Sequence, residues 1–313
     1  MVSLKTIAAV LATTVSALPA SFRLTPRQLD YYKLAVRQNE MAKSMNLTNA
    51  DIGQFALTLE HLEAAFYNQA LGESGNKMDE KTRTTLENIR DIEDTHVVFL
   101  TSFLAQASAT PVETCKYNFN TNDVNDIIKT AAVLENVGVS AYLGAAPLIS
   151  DKNLLGTAAS IATVESRHQT SIRSLMGQEL VPEAFDNPLS PRAAFSLAKP
   201  FIASCPQGSD LPIDSFPALA MMPGQNAASM AAGSVVKLAA EEGAGSAQNC
   251  AFTTTLEQSP GGARFAPFSE GSGCEVPAGV IGISYVFLTS SVPANNAITD
   301  DITVAGPMVM VIT

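Results

Sequence analysis

The chain has no tryptophan, only three histidines in 313 residues, and charged side chains at just 16% of positions. Positive charge is the scarcer sign: 19 Lys and Arg stand against 30 Asp and Glu, a formal net charge of −11. That balance gives no long-range attraction toward nucleic acid or an anionic membrane, so neither is expected as a partner, and it favours cations instead. Beyond the N-terminal region there is no uninterrupted apolar run of about 18 residues, so no membrane anchor is expected in the mature chain. The glycine-bearing stretch from Gly72 to Gly75 is followed by no Gly-Lys-Ser/Thr, which excludes a phosphate loop. There is no Gly-x-Ser-x-Gly elbow, and a serine hydrolase would have to draw its base from His61, His96 or His168, all within residues 50–177. What is abundant is apolar: 46% hydrophobic residues make this a globular chain rather than a disordered one.

The first residues, Met1-Val2-Ser3-Leu4-Lys5, lead into an apolar run from Thr6 to Ala17, with small residues before a cleavage point after Ala17 or Ala20. This pattern is that of a signal peptide, too short to span a bilayer. An exported chain with four cysteines, Cys115, Cys205, Cys250 and Cys274, is expected to form two disulfides, for which three connectivities exist. The preferred one joins Cys115 to Cys205 and Cys250 to Cys274, because the second pair closes a short loop in a strand-like region. Asn46-Leu47-Thr48 is the glycosylation sequon, with Asn46 as acceptor.

The chain divides by texture. Residues 1–17 read as the signal peptide and 18–49 as an N-terminal segment. Residues 50–177 read as four helices separated by Gly72 to Asn76, Ser108 to Asn122 and Ser150 to Asn153. Residues 178–206 are a proline-punctuated connection with a short helix from Ala193 to Ala203. Residues 207–313 alternate short apolar runs with Gly, Pro, Ser and Asn turns, the clearest strands being Val280 to Thr289 and Met308 to Thr313. The fold class is α+β and multidomain, a four-helix bundle followed by a β-sandwich-like domain. No catalytic signature marks the second domain, which reads as a structural or wall-contacting unit.

The chemistry lies in the helical half. Glu60, Glu93-Asp94-Thr95-His96, Glu135 and Glu165-Ser166-Arg167-His168 fall one per helix, in the order Glu, Glu-x-x-His, Glu, Glu-x-x-His. Residues three apart share a helix face, so each Glu-x-x-His can offer an oxygen and an imidazole nitrogen to one ion, while the two single glutamates are expected to bridge the ions. With 17 glutamates in the chain, the chance that two of three histidines carry Glu three positions earlier is about one in a hundred. Ligands on antiparallel neighbours must lie at one height. Glu60 and Glu93 are centred on position 76.5, next to Gly75-Asn76, and Glu135 and Glu165 on position 150, at Ser150-Asp151.

The two helix pairs also look like copies of one hairpin. Glu135 follows Glu60 by 75 positions, Glu165 follows Glu93 by 72, and a tyrosine, Tyr67 or Tyr142, lies seven residues after each single glutamate. Seven residues is nearly two turns, which puts each tyrosine on its glutamate's face, able to hydrogen-bond a ligand. The connection from Ser108 to Asn122 can extend roughly 50 Å, enough to return along a helix and set the second helix parallel to the third. Glu63 competes with Glu60: it lies nearer the centre of the apolar stripe of Phe55, Leu59, Leu62 and Phe66, as a ligand or as a carboxylate behind the ligands. Gly138 stands at its counterpart. His61 is expected on the outer face.

The run from Leu57 through Glu60, Glu63 and Phe66 to Tyr67, with the later Glu-x-x-His, resembles the ferritin-like domain family. The signal peptide, Phe201-Ile202-Ala203-Ser204-Cys205-Pro206 and Ala305-Gly306-Pro307 resemble fungal secreted stress-response and late-sexual-development proteins. Bacterial desiccation-related proteins are similar in the bundle. The resemblance implies a bundle that holds two ions of iron or manganese; separately, carboxylate-rich, histidine-poor donors with open positions suit a small oxidant, oxygen or peroxide, as the partner of a secreted or wall-associated protein, with a cell-wall polymer as a second candidate. Di-iron oxidase or manganese-catalase-like activity is the enzymatic expectation, and a metal-binding or structural bundle the non-enzymatic one.

Overall fold

The computed structural model describes residues 47–225, 230–254 and 262–312. The signal peptide at 1–17, most of the N-terminal segment at 18–49, the sequon residue Asn46 and the terminal Thr313 lie outside the described residues.

Four long helices come first: α1 (Asn49–Ser74), α2 (Glu80–Gln106), α3 (Val124–Ala145) and α4 (Lys152–Leu175). Each starts where a short polar side chain can accept from the backbone N–H groups that a helix's first turn leaves unpaired. Thr48 and Asp51 form a reciprocal capping box on α1. Asp79, Asp123 and Asp151 accept from Thr82, Asp126 and Leu154 at 2.8–2.9 Å on the other three. One-turn 3-10 segments, Gly75–Lys77 and Ala146–Leu148, end α1 and α3 and turn each chain back into its hairpin partner.

The crossover between the hairpins runs along α1. Gln54 pairs with Thr110 and Val112, His61 Nε2 lies 3.2 Å from the Val112 carbonyl, and Phe119 packs edge-on against Phe66. The segment therefore travels from the start of α1 toward its end, and α3 begins beside the start of α2 and runs parallel to it. His61 is half-buried beneath this segment rather than on an open outer face. The disulfide Cys115–Cys205 ties the crossover to the chain that follows the bundle, where β1 (Lys116–Tyr117) pairs with β2 (Ile202–Ser204).

The connecting stretch carries the helix α5 (Pro191–Ala198), capped by Ser190. The strands that follow are β3 (Leu219–Met221), β4 (Val235–Val236), β5 (Leu238–Ala240), β6 (Asn249–Thr254), β7 (Gly262–Pro267), β8 (Cys274–Glu275), β9 (Gly282–Thr289) and β10 (Thr303–Ile312). An antiparallel sheet in the order β10-β9-β6-β7 is flanked by two-stranded ribbons, β3 with β5 and β4 with β8. Alternation along β6 and β9 divides the sheet's faces. Cys250, Phe252, Val286 and Leu288 enter a core shared with the ribbons, where Cys250 bonds Cys274. Ala251, Tyr285 and Phe287 join the core that also holds Phe55, Leu62 and Phe66 of the bundle. One face of the sheet is thus packed on the ribbons and the other on the helices. The molecule is α+β.

Candidate metal centre

The height matching set by the hairpin turns brings four glutamates and two histidines together at the middle of the bundle. Glu60, Glu93, Glu135 and Glu165 have no solvent exposure, and His96 and His168 are nearly as buried. Two sets of donor atoms form. Glu60, Glu93, His96 and Glu165 make one, and Glu93, Glu135, Glu165 and His168 the other, the atoms of each lying within 4.8 Å of one another.

Glu93 and Glu165 belong to both sets, whereas Glu60 and Glu135 belong to one each. Bridging was expected of the single glutamates; the carboxylates common to both donor sets are those of the Glu-x-x-His elements. Helical spacing selects a face but not the depth a side chain reaches into it, so the shared membership is not readable from spacing alone. Glu63 is also buried but is in neither set. Its carboxylate lies over Gly138, where a Cβ would come within 2.9 Å of Glu63 Oε1 and 3.2 Å of Glu165 Oε2. The glycine makes room for a fifth carboxylate beside the other four.

The donor atoms face one another but satisfy one another only in part. His96 Nδ1 lies 3.1 Å from Glu60, 3.0 Å from Glu93 and 3.2 Å from Glu165. His168 Nδ1 is 2.7 Å from Glu93 Oε1 and 3.4 Å from Glu135 Oε2, yet none of these three atoms makes an aligned hydrogen bond, and neither oxygen of Glu165 does. Buried polar atoms left this way are costly. Ligands about 2.1 Å from an ion in octahedral array sit about 3.0 Å apart along each edge. The observed separations match that edge, so the donor set fits a pair of divalent ions.

Charge points the same way. Five carboxylates share this volume with two imidazoles, and burial together with the neighbouring carboxylates, Glu165 foremost, holds Glu63 well above its ordinary range. Burial opposes protonation of the imidazoles, but the carboxylates facing them outweigh it, and both His96 and His168 are pushed up to about 12. Burial raises Glu135 to about 7 against the pull of His168. Two divalent cations would replace these protons and offset the same negative charge.

The tyrosines cross the bundle. Tyr67 on α1 donates to Glu135 Oε1 on α3, and Tyr142 on α3 donates to Glu60 Oε1 on α1, so each holds the single glutamate of the opposite hairpin. Burial, then the nearby carboxylates, keeps both phenols well above their usual range and therefore protonated as donors. Sequence reasoning missed the network behind the donor sets. Asn136 follows Glu135 and Gln169 follows His168; Gln169 donates to Asn136 at 2.5 Å, and Asn136 donates in turn to the Tyr285 hydroxyl of β9. Two amides directly after two candidate ligands were the available signal.

Among known proteins, residues 48–178 match the model of the ferritin-like domain family. Protein rds1 of the fission yeast Schizosaccharomyces pombe is 26% identical over 171 residues, 52% of this chain and 42% of that protein, so the chain matches less than half of that relative's length. A crystal structure of a conserved hypothetical protein from Mycobacterium tuberculosis aligns over 44% of this chain and 96% of its own, at 16% identity and a TM-score of 0.38. The family match, the two capped helical hairpins and the paired Glu-x-x-His elements all fall in one stretch, and residues 48–178 are a ferritin-like domain.

Proposed function

We propose that this is a secreted di-metal protein whose bundle holds two ions of iron or manganese and reacts with oxygen or peroxide. The observation that carries the reading is the convergence of unsatisfied carboxylate and imidazole atoms into two overlapping donor sets. Glu60 and His96 would hold one ion, Glu135 and His168 the other, with Glu93 and Glu165 shared. Donors rich in carboxylate suit iron or manganese, which supply one-electron chemistry toward small oxidants when bound. The chain's own part is to fix that array. Tyr67 and Tyr142 orient Glu135 and Glu60, and Glu63 lies next to the shared carboxylates as a group that can hold a proton. The apolar core around the cluster excludes bulk water.

Secretion is supported by the N-terminal sequence pattern and by the pairing of all four cysteines, since disulfides persist in oxidising compartments. Among the described residues no helix is long and apolar enough to cross a membrane. The test is metal content. The chain from Leu18, produced in a secreting host, is expected to carry about two iron or manganese atoms by mass spectrometry, and a Glu93→Ala/His96→Ala variant to carry none. Oxygen and peroxide consumption then separate a redox role from storage or structural binding. A loaded protein silent toward both oxidants sinks the redox reading, and absence of metal after reconstitution under reducing conditions sinks the di-metal one.

A further inference from the structure

The bundle contains a void of about 30 Å³ that extends from its end, at Ile52 and Ile149, to Glu63 and Tyr142 beside the metal centre. From Ile52 to Glu63 is eleven residues of α1, about 16 Å. Apart from the Glu63 carboxylate and the Tyr142 hydroxyl, the side chains lining it are apolar. Tyr142 donates to Glu60, so the inner end of the void adjoins a candidate ligand.

The hairpin repeat explains why the void exists. Ala141 and Ala158 both line it, and their counterparts in the first hairpin are Phe66, 75 positions before Ala141, and Leu86, 72 positions before Ala158. Phe66 and Leu86 are fully buried in the main core. Two large side chains thus fill one side of a pseudo-symmetric bundle, and two methyl groups stand at the matching places on the other. The same asymmetry places Glu63 opposite Gly138. Where packing is otherwise close, a void bordered by residues that the repeat shows could be larger is a specific feature of one side.

We propose that this void is the route by which dioxygen, rather than peroxide, reaches the metal centre, and that Ala141 and Ala158 keep it open. The assignment rests on the redox reading given above. Empty protein cavities are apolar, and such cavities take up apolar gases. Dioxygen, with two heavy atoms and no hydrogen bonds to lose, fits both the volume and the lining. Peroxide would have to leave its hydrogen bonds to water behind, at a cost of roughly several kcal/mol, with partners only at the inner end.

The experiment uses Ala158→Leu, which installs the residue the first hairpin carries at the matching position, and Ala141→Val as a milder filling should the first fail to fold. Xenon binding to the metal-free chain, followed by xenon NMR under pressure, is expected to show a saturable site in the wild type that is lost in the variants. In ferrous-loaded protein with unchanged metal content, iron oxidation by dioxygen is expected to slow by about tenfold or more in the variants, while oxidation by hydrogen peroxide stays within about twofold. No xenon in the wild-type void, or an unchanged dioxygen rate in a variant that has lost xenon, overturns the route. If xenon binds as expected but the loaded wild type is inert to both oxidants, the redox reading fails, and the dioxygen assignment falls with it.

Discussion

At the scale of single residues, the metal-free protein should respond to pH through its imidazoles. Because His96 and His168 are pushed up to about 12 in the folded chain, they hold protons there at pH values where the unfolded chain has lost them. Their stabilising contribution is complete below about pH 6.5 and is lost as pH rises through the folded value. Glu135, raised to about 7, acts in the same direction between about pH 4.5 and 7. Thermal melts of metal-free protein at pH 5.5, 7 and 8.5 are therefore expected to fall steadily. Glu165 is held below its ordinary value by His168 and His96 despite its burial, and works the opposite way only at more acidic pH. Binding two cations must displace these protons, so affinity should rise with pH and loading should release protons to the buffer, measurable by calorimetry in buffers of different ionisation enthalpy. Melting points that rise with pH in the metal-free form would overturn this charge assignment. Tyr142→Phe, which removes the donor to Glu60, is expected to weaken metal affinity by about tenfold or more without abolishing it, because it disorients a ligand rather than deleting one.

At the scale of elements, what local periodicity determines was legible and what distant contacts determine was not. The division into four helices follows from periodicity and the six candidate donors from their one-per-helix order, whereas the capping side chains Thr48, Asp79, Asp123 and Asp151 emerge only in the structure. The shared role of Glu93 and Glu165 depends on side-chain reach, and the ribbons β3–β5 and β4–β8 on two- or three-residue strands paired across the sequence, so neither leaves a local pattern. Close approach between elements gives a further prediction. On α3, a Cβ at Gly144 would lie 1.7 Å from the Leu189 carbonyl oxygen, where the connecting stretch docks and Leu189 donates to Ser140. Replacing a glycine within a helix by alanine usually stabilises by roughly 0.5–1 kcal/mol, and Gly144 lies in the last turn of α3. Here the sign should invert, and Gly144→Ala should cost about 1–3 kcal/mol in denaturant unfolding. The disulfides rank by loop length. Cys115–Cys205 spans 90 residues and Cys250–Cys274 spans 24, so on chain entropy, replacing the first pair by serine should cost about 1 kcal/mol more than replacing the second.

At the scale of the whole molecule, the sheet is a wall of the bundle's core, and one tyrosine joins the two chemically. The Tyr285 hydroxyl accepts from Asn136 Nδ2 at 2.5 Å, donates to the Asn136 carbonyl at 3.0 Å and lies 2.7 Å from Ser140 Oγ. Asn136 and Ser140 belong to α3, the helix that carries Glu135, and Asn136 also receives Gln169, the neighbour of His168. Deleting the hydroxyl leaves buried amide and hydroxyl groups without a partner, a loss of about 1–3 kcal/mol. The phenyl ring that remains keeps Phe287 and Ala251 packed on the same face, so Tyr285→Phe should fold. Because the lost bonds connect the two halves of the molecule, the expected signature is a change in cooperativity as well as in stability. Wild-type unfolding followed by helix circular dichroism and by a probe in the sheet should coincide, while in Tyr285→Phe the two transitions should separate as stability falls by the stated amount. Metal affinity should fall as well, since these bonds join α3 to α4 at the residues that directly follow the candidate ligands Glu135 and His168. A variant with unchanged stability and unchanged metal binding would mean that the sheet merely covers the bundle, and that the position of α3 is set by the helices alone.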